Sequence, residues 1–394
     1  MKDHTSLYLD VLRFSAAFLV FIFHAGHFSG AYIPVLGHLG SEAVIVFFVL
    51  SGLVVSFTSD QKHTDIVDYS LSRLARLWSV ALPALAITLL ADKIGQAINL
   101  SLYAPLQPLS AYKWLVLLPA NAIFISQIWN FDLWPGSNGP FWSISYEFWY
   151  YCIFGFAFYF RGKARIVLVI GASVIAGPQI LLAFPAWIFG SLVYFFIRRR
   201  GEIRHQRQYG YVLWIASIAS LCAYTLCGAT DFLQSVFAAS AKIAKYEVDF
   251  WPKTYFIAFF IAVNIYGFDI AGGVAAGALM KYRRHIRLLA DWSFGLYLFH
   301  YPLGYLCKVL ASLFLEAGRA PSVLFIYGTS FAMSVGLACL CEAHKRDVNL
   351  IVRSAFHLAV PKRLVEIMCA AGRAPRTEPA APVVVRTPNP SPLT

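Results

Sequence analysis

The stretch YLDVLRFSAAFLVFIFHAGHF, Tyr8 to Phe28, decides the fold class. It is apolar enough to cross a bilayer and has the ~20 residues that a transmembrane helix needs. It nevertheless carries Asp10, Arg13, His24 and His27. Because it lacks the short charge-free core and the small-residue cleavage site of a signal peptide, we expect it to remain in the protein as the first membrane helix.

Composition extends this prediction to the whole chain. Of its 394 residues, 59% are hydrophobic and only 13% are charged, and the mean hydropathy is strongly positive. An ordinary soluble globular domain does not have this composition. Apolar runs recur to about residue 343 without a long polar linker. The sequence therefore predicts one all-α integral membrane domain over residues 1–345, followed by a cytoplasmic tail over residues 346–394.

About ten stretches are predicted to span the membrane, at residues 9–29, 41–58, 77–98, 141–160, 165–183, 184–198, 210–230, 254–278, 290–314 and 322–343. The piece from Trp114 to Trp129 is short and is expected to be broken by Pro119, so it is predicted to be an interfacial or re-entrant helix. In the tail, residues 347–369 are predicted to form an amphipathic helix on the inner leaflet, and the Pro-rich remainder from Arg373 is predicted to be disordered.

Basic residues are distributed unevenly between the two sides of this arrangement. With the N-terminus inside, 24 of the 32 lysines and arginines fall in predicted cytoplasmic segments or the tail. Lysine and arginine concentrate on the cytoplasmic side of membrane proteins. The pattern therefore predicts that both termini are cytoplasmic.

The same features exclude several other classes of function. The formal net charge of +12 follows from the positive-inside distribution, and nucleic acid binding is disfavoured because the chain has no large soluble region. The seven cysteines show neither a paired framework nor metal-ligand spacing. No disulfide framework and no metal site are predicted.

The ionisable residues of the first helix form a stripe. The eleven steps of about 100° from Arg13 to His24 make about three full turns, so both side chains lie on one face about 16 Å apart. Asp10 lies on nearly the same face. Charges at membrane depth cost a few kcal/mol and usually face a cavity or a partner. One interpretation is an Asp10–Arg13 pair with neutral core histidines, but a stripe of this length favours a functional pathway.

Four further stretches carry residues of catalytic or binding type. They are VFFVLSG with Ser51 and Gly52, SRLARLW with Arg73 and Arg76, GPFWSISYEFWYY with Glu147, and DWSFGLYLFHYP with Tyr297 and His300. Together with Arg13 and His24 in LDVLRF…H, they resemble the acyltransferase 3 family of integral-membrane O-acyltransferases, which modify bacterial surface polysaccharides, lipopolysaccharide O-antigens and nodulation factors. The resemblance covers roughly residues 5–343. Two motifs depart from the family pattern, since LDGLRG reads LDVLRF here and SVE reads SYE.

The resemblance implies an enzyme of the bacterial inner membrane. It would transfer an acyl group, expected to be acetyl, from cytoplasmic acyl-coenzyme A to a hydroxyl of a glycan or glycolipid. His24 is then the expected general base, because a positioned imidazole can take the proton of an attacking hydroxyl. Glu147, at a similar depth in the fourth span, is expected to orient His24 or to act as a second acid or base. The alternative for Glu147 is an interfacial acid.

The remaining residues are expected to bind the donor. Arg73 and Arg76 lie three apart on one helix face and suit contact with the phosphates of the donor. Arg13 would extend this phosphate- or pantetheine-binding path further into the membrane. The rival interpretation of Arg73 and Arg76 is plain positive-inside topology. Further lining of the cavity is expected from Asp10, Ser51, Gly52, Tyr297 and His300. The alternatives are helix packing for the small Ser51-Gly52 pair and a plain core position for Tyr297 and His300.

A different class of function stays open. A proton-coupled transporter or exporter of a glycan or lipid precursor would also bury histidine, aspartate and arginine. Transporters often show paired repeats and Gly- or Pro-broken helices in both halves, which this sequence does not show.

The aromatic, Pro-containing region over residues 99–140 is predicted to receive the acceptor, because aromatic faces stack on sugars.

Overall fold

A computed structural model describes residues 1–106, 111–129, 131–201, 205–226, 251–272 and 276–372. Within these ranges the secondary structure is helical and contains no strand. The α-helices are α1 (Asp3–Ser29), α2 (Gly40–Gln61), α3 (Ile66–Ile98), α4 (Ala111–Ala122), α5 (Trp142–Tyr159), α6 (Gly162–Ala176), α7 (Pro178–Arg199), α8 (Gln206–Leu226), α9 (Trp251–Ala271), α10 (Ala276–Lys281), α11 (Arg283–Ala311), α12 (Ala320–Ala359) and α13 (Lys362–Ala371). The predicted disordered remainder of the tail, from Arg373 on, lies outside the described residues.

Seven of the described helices are long and apolar enough to cross a membrane: α1, α2, α3, α7, α8, α9 and α12. This confirms the all-helical membrane class. Helices α5, α6 and α11 coincide with three more predicted spans, but α6 has only 15 residues and α11 begins with a basic cluster. The count of about ten spans stays a prediction.

Several helix boundaries differ from the predicted ones, and glycine explains two of them. The break between α6 and α7 lies at Gly177 rather than at residue 183, because Gly177 adopts a positive φ of 83° and Pro178 opens the next helix. Helix α9 ends at Ala271 instead of residue 278, before Gly272 at φ 57°. A left-handed backbone ends a helix and is readily adopted by glycine.

Helix α3 begins eleven residues earlier than the predicted third span. Asp65 caps it by accepting hydrogen bonds from the backbone N–H groups of Val67 and Asp68, both at 2.9 Å. Such a cap stabilises a helix start by ~1 kcal/mol. Arg73 and Arg76 therefore lie inside the helix, about two to three turns from its first residue, and not at its entry.

The C-terminal helices also differ from the prediction. The last predicted span and the first part of the predicted amphipathic segment form one continuous helix, α12, which ends at Ala359 before Pro361. The expected boundary at residue 345 falls within α12. Helix α13 is a separate short helix, and its end contacts the start of α3, where Ile66 N–H donates to the Gly372 carbonyl at 2.8 Å.

The short piece before α5 is helical, as predicted, but Pro119 does not break it. Helix α4 continues through Pro119 and ends at Ala122. The chain then turns at Phe124, which adopts a positive φ of 61°. The Phe124 carbonyl accepts hydrogen bonds from Ser145 Oγ and Trp149 Nε1 on α5, so this turn is held against the fourth predicted span.

Helix packing encloses the site. Helix α1 packs on α2 and α11, while α3 packs on α5, α11 and α12. Helices α2 and α7 approach closely, because a Cβ on Gly52 would lie 1.9 Å from the Trp187 carbonyl oxygen and one on Gly190 would lie 1.8 Å from that of Val49. The two glycines let these backbones meet. A space remains between α1, α2, α3, α5 and α11.

Candidate active site

A cavity occupies that space. Its polar lining comes from α1, α2, α3, α5 and α11, and its apolar wall comes mainly from α2. The polar and charged lining residues are Arg13, Ser51, Arg73, Arg76, Ser143, Glu147, Tyr151, Ser293 and Tyr297. The sequence-predicted residues Arg13, Ser51, Arg73, Arg76, Glu147 and Tyr297 are thus brought together.

Three guanidinium groups share this cavity with a single carboxylate. Arg13 lies 3.7 Å from Asp10, whereas neither Arg73 nor Arg76 forms an ion pair with any described carboxylate. Their cationic groups lie instead over aromatic rings, Arg73 over Tyr151 at 5.9 Å and Arg76 over Phe294 at 5.7 Å. Like charges at close range repel, so the cluster favours an anion.

Arg73 has unused hydrogen-bonding capacity. Its Nε is buried without a hydrogen-bond partner among the described residues. Its Nη2 lies 3.4 Å from His63 Nε2 in the α2–α3 loop, and His63 Nδ1–H donates to Asp68 at 2.7 Å. Burial is the largest effect on His63 and lowers its pKa below the ordinary value, and the Arg73 charge acts in the same direction. His63 is therefore a neutral acceptor for Arg73.

Glu147 lies on the α5 wall of the cavity. Its Oε1 accepts hydrogen bonds from Ser51 Oγ at 2.7 Å and from the hydroxyl of Tyr151, one turn along the same helix. Trp187 Nε1 in turn donates to Ser51 Oγ at 3.2 Å. The carboxylate is thereby fixed in one orientation within the cavity that also holds the three arginines.

His24 and Glu147 do not meet, contrary to the sequence-based expectation. The hydrogen bonds of Glu147 go to Ser51 and Tyr151, while His24 Nδ1 lies 2.9 Å from His300 Nε2. The expectation compared only their depths along two helices, but α1 packs mainly on α2 and α11, whereas α5 packs mainly on α6 and α3. Depth along two helices does not determine whether the helices are neighbours.

The histidine pair lies beside the end of the cavity and does not line it. Tyr297 is the cavity residue nearest the pair in sequence, and its ring lies 6.3 Å from the His300 ring. Its hydroxyl donates to the Pro140 carbonyl at 3.1 Å and contacts Ser143 Oγ at 2.8 Å. Tyr297, on α11, therefore borders both the arginine-lined space and the histidine pair.

Gly52 is not part of the cavity lining. Helix α2 continues past Gly52 to Gln61. The side of Gly52 where a Cβ would be packs against the Trp187 carbonyl of α7. The packing interpretation of this glycine is therefore the one that the structure supports. Its neighbour Ser51 points the other way, into the cavity.

A second space adjoins the first and shares Arg13, Arg76 and Phe294 with it. Asp10 lines it and is paired with Arg287 at 2.5 Å as well as with Arg13. The Asp10–Arg13 pair of the alternative interpretation is therefore present. The remaining charged lining residues of this second space are Asp291, Glu342 and Lys345. The two spaces meet at Arg13, Arg76 and Phe294 and together form a polar path.

Some residues of the site were not identified from the sequence. Tyr151 follows Glu147 by four residues, the spacing that puts two side chains on one helix face, and this signal was available. Arg287 belongs to a run of basic residues near the start of α11, and nothing in the run distinguishes it from its neighbours. Its pairing with Asp10 depends on the packing of α1 against α11.

Comparison with known proteins agrees with these features. The sequence profile of a family described as "Acyltransferase domain" matches residues 6–341. The chain is also similar to an "O-acetyl transferase" of Shigella phage Sf6, with 27% identity over 215 residues that cover 49% of this chain and 61% of that protein. The chain thus matches less than two thirds of that relative's length. No solved structure matches.

Proposed function

Because the chain belongs to the acyltransferase 3 family, whose profile covers residues 6–341, we propose that it is a membrane O-acyltransferase. The donor is an acyl-coenzyme A, with acetyl as the expected acyl group. The acceptor is a hydroxyl of a surface glycan or glycolipid. The phage relative, described as an O-acetyl transferase, supports both the bond formed and the acetyl donor.

The observation that carries this proposal is the cluster of arginines without carboxylate partners. Arg73 and Arg76 line one cavity and lack an ion-pair partner in the described part of the chain. Guanidinium groups bind phosphate oxygens through paired N–H donors, and coenzyme A carries phosphates at one end. Arg13 adds a third guanidinium to this cavity, and the adjoining space, which it shares, is lined by charges of both signs.

His24 is the base in this proposal. It lies about 16 Å along α1 from Arg13, which leaves room for an extended pantetheine arm between phosphate contacts and the thioester. In the proposed step, the acceptor oxygen attacks the thioester carbonyl carbon while His24 takes the hydroxyl proton. The C–S bond then breaks, and the leaving thiolate takes that proton from the His24 imidazolium.

In this proposal Glu147 does not act as a direct hydrogen-bond partner of His24. Its carboxylate lies in the arginine-lined cavity and is oriented by Ser51 and Tyr151. A carboxylate fixed in this way can accept a hydrogen bond from an amide N–H of the pantetheine arm or act as a second acid or base. Tyr297 borders both this region and the histidines, where the acyl end of the donor would pass.

The orientation of the protein follows from its charge distribution. With both termini in the cytoplasm of a bacterial cell, Arg13 lies toward the cytoplasmic side of α1 and His24 toward the outer side. Acyl-coenzyme A is then available where the arginines are, and a surface glycan is available beyond His24. The exposed aromatic residues Tyr32, Trp129 and Trp134 would offer ring faces to a sugar.

The test uses purified protein in liposomes with labelled acetyl-coenzyme A and glycans from the host cell surface. We expect label to appear covalently on the glycan, in an ester that mild alkali removes. A matched comparison by mass spectrometry of surface glycans with and without the gene should show the same ester. Glycan movement across the membrane without ester formation would support the transporter alternative and contradict the proposal.

A further inference from the structure

The contacts of His300 determine which of its ring nitrogens carries a proton. Its Nδ1 lies 3.0 Å from the backbone carbonyl oxygen of Leu296, one turn back on α11. A carbonyl oxygen can only accept a hydrogen bond, so Nδ1 of His300 must be the protonated nitrogen. In a neutral imidazole the other nitrogen, Nε2, then carries a lone pair.

A doubly protonated His300 is disfavoured. The side chain is buried, with 1% of its surface exposed, and no described carboxylate contacts it. Its ring neighbours are Phe21, His24, Tyr297 and Tyr301. An unpaired buried imidazolium would carry a large desolvation cost. His300 is therefore the neutral tautomer with its acceptor nitrogen facing His24.

This tautomer determines that of His24. The 2.9 Å contact between His24 Nδ1 and His300 Nε2 needs one proton, and His300 Nε2 has none to give. His24 must donate from Nδ1–H. Its Nε2 then holds the lone pair. The His24 ring is further held by Tyr301, whose ring lies 4.8 Å away at 75°.

We propose that His300 is a positioning residue that fixes His24 in the tautomer whose Nε2 is the catalytic base. This inference rests on the proposed acyl transfer. In that step the hydroxyl proton of the acceptor moves to His24 Nε2 as the C–O bond forms. The resulting imidazolium still donates from Nδ1–H to His300 Nε2, which stabilises its charge without a second proton transfer. The Leu296 carbonyl, which accepts from His300 Nδ1–H, completes this chain of hydrogen bonds.

Two substitutions separate this role from simple packing. His300→Phe keeps an aromatic ring but removes the acceptor for His24 Nδ1–H, and kcat is expected to fall by roughly 10²-fold, the lower bound for a positioned base. KM for acyl-coenzyme A should stay unchanged. His300→Gln keeps a side-chain oxygen that can accept from Nδ1–H, so it should recover about 10-fold or more of the lost rate. Tyr305→Phe, on the same helix one turn after Tyr301, is the matched control and should keep wild-type kcat.

The tautomer itself is read by 15N solid-state NMR of histidine-labelled protein in lipid, with His24 assigned by comparison with His24→Asn. We expect a protonated Nδ1 and an unprotonated Nε2 at neutral pH. A protonated Nε2, or wild-type kcat in His300→Phe, would overturn the proposal. If His300→Phe fails to bind donor, the NMR result and His300→Gln still decide it. If the wild-type protein acylates no glycan, the proposed function fails, and the NMR spectrum separately tests the tautomer.

Discussion

Loss of Arg73 and Arg76, the cavity arginines that pair with no carboxylate in the described part of the chain, should weaken donor binding without weakening the fold. A charge-assisted hydrogen bond is worth ~1.5–3 kcal/mol, so Arg76→Ala is expected to raise Kd for coenzyme A by roughly 10- to 150-fold. Arg73→Ala should have a smaller effect, because part of the Arg73 guanidinium is already engaged with His63. The double variant should lose less than the product of the two effects, since both groups share one ligand.

The folded state should tolerate these changes. Arg76 contributes a ring contact with Phe294, but its removal also relieves repulsion from Arg13, which lines the same cavity. Calorimetric titration of coenzyme A into purified protein measures the affinity, and a thermal scan without ligand measures the fold. Arg76→Lys should be intermediate, because an ammonium keeps the charge but loses the paired donors.

The matched control is Arg198→Ala. Arg198 also lies within a helix but pairs with Asp60 at 2.6 Å and lines neither space. It should leave coenzyme A affinity unchanged. Unchanged affinity in the Arg73→Ala, Arg76→Ala double variant would refute the reasoning and return both residues to a topological role.

Three further predictions concern Glu147, topology and pH. Glu147→Gln replaces an acceptor oxygen with a donor facing Ser51 and Tyr151, so acyl transfer should fall by at least about 10-fold; wild-type turnover would exclude a role for the charge. Reporter fusions at Arg200 and Arg319 should read cytoplasmic and periplasmic respectively, and the reverse would invert the donor side. The pKa of His63 is lower in the folded protein than its ordinary value of about 6.5. As the pH falls below about 6.5, the unfolded chain therefore takes up a proton at His63 before the folded protein does, and this shifts the equilibrium toward unfolding. Tm should therefore drop between pH 7 and pH 5 in the wild type and drop less in His63→Gln, and equal drops would contradict this.

The fold class and the arginine cluster were accessible from the sequence because they depend on local spacing. The stripe of Asp10 and Arg13 follows from helical periodicity alone, and both residues line the predicted polar path. Arg73 and Arg76 likewise reach one cavity because residues three apart share a helix face.

Contacts between residues on different helices were harder to predict from the sequence. The expected His24–Glu147 contact was wrong because comparison of depths contains no information on which helices are adjacent, and α11 supplies the partner of His24 instead. His300 was expected to line the cavity and lies beside it. Helix ends were predicted less well where a single residue decides them, as at Gly177 and Asp65.

The most direct test of the central claim is acyl incorporation by His24→Ala, measured in membranes at matched expression with labelled acetyl-coenzyme A and the cell's surface glycan. His27→Ala is the internal control, because His27 is exposed, contacts Tyr32 at 3.0 Å and lies one turn further along α1. We expect His24→Ala to insert, to bind coenzyme A as the wild type does and to transfer no acyl group above background, while His27→Ala keeps most of its activity. Wild-type incorporation by His24→Ala would contradict the proposed mechanism.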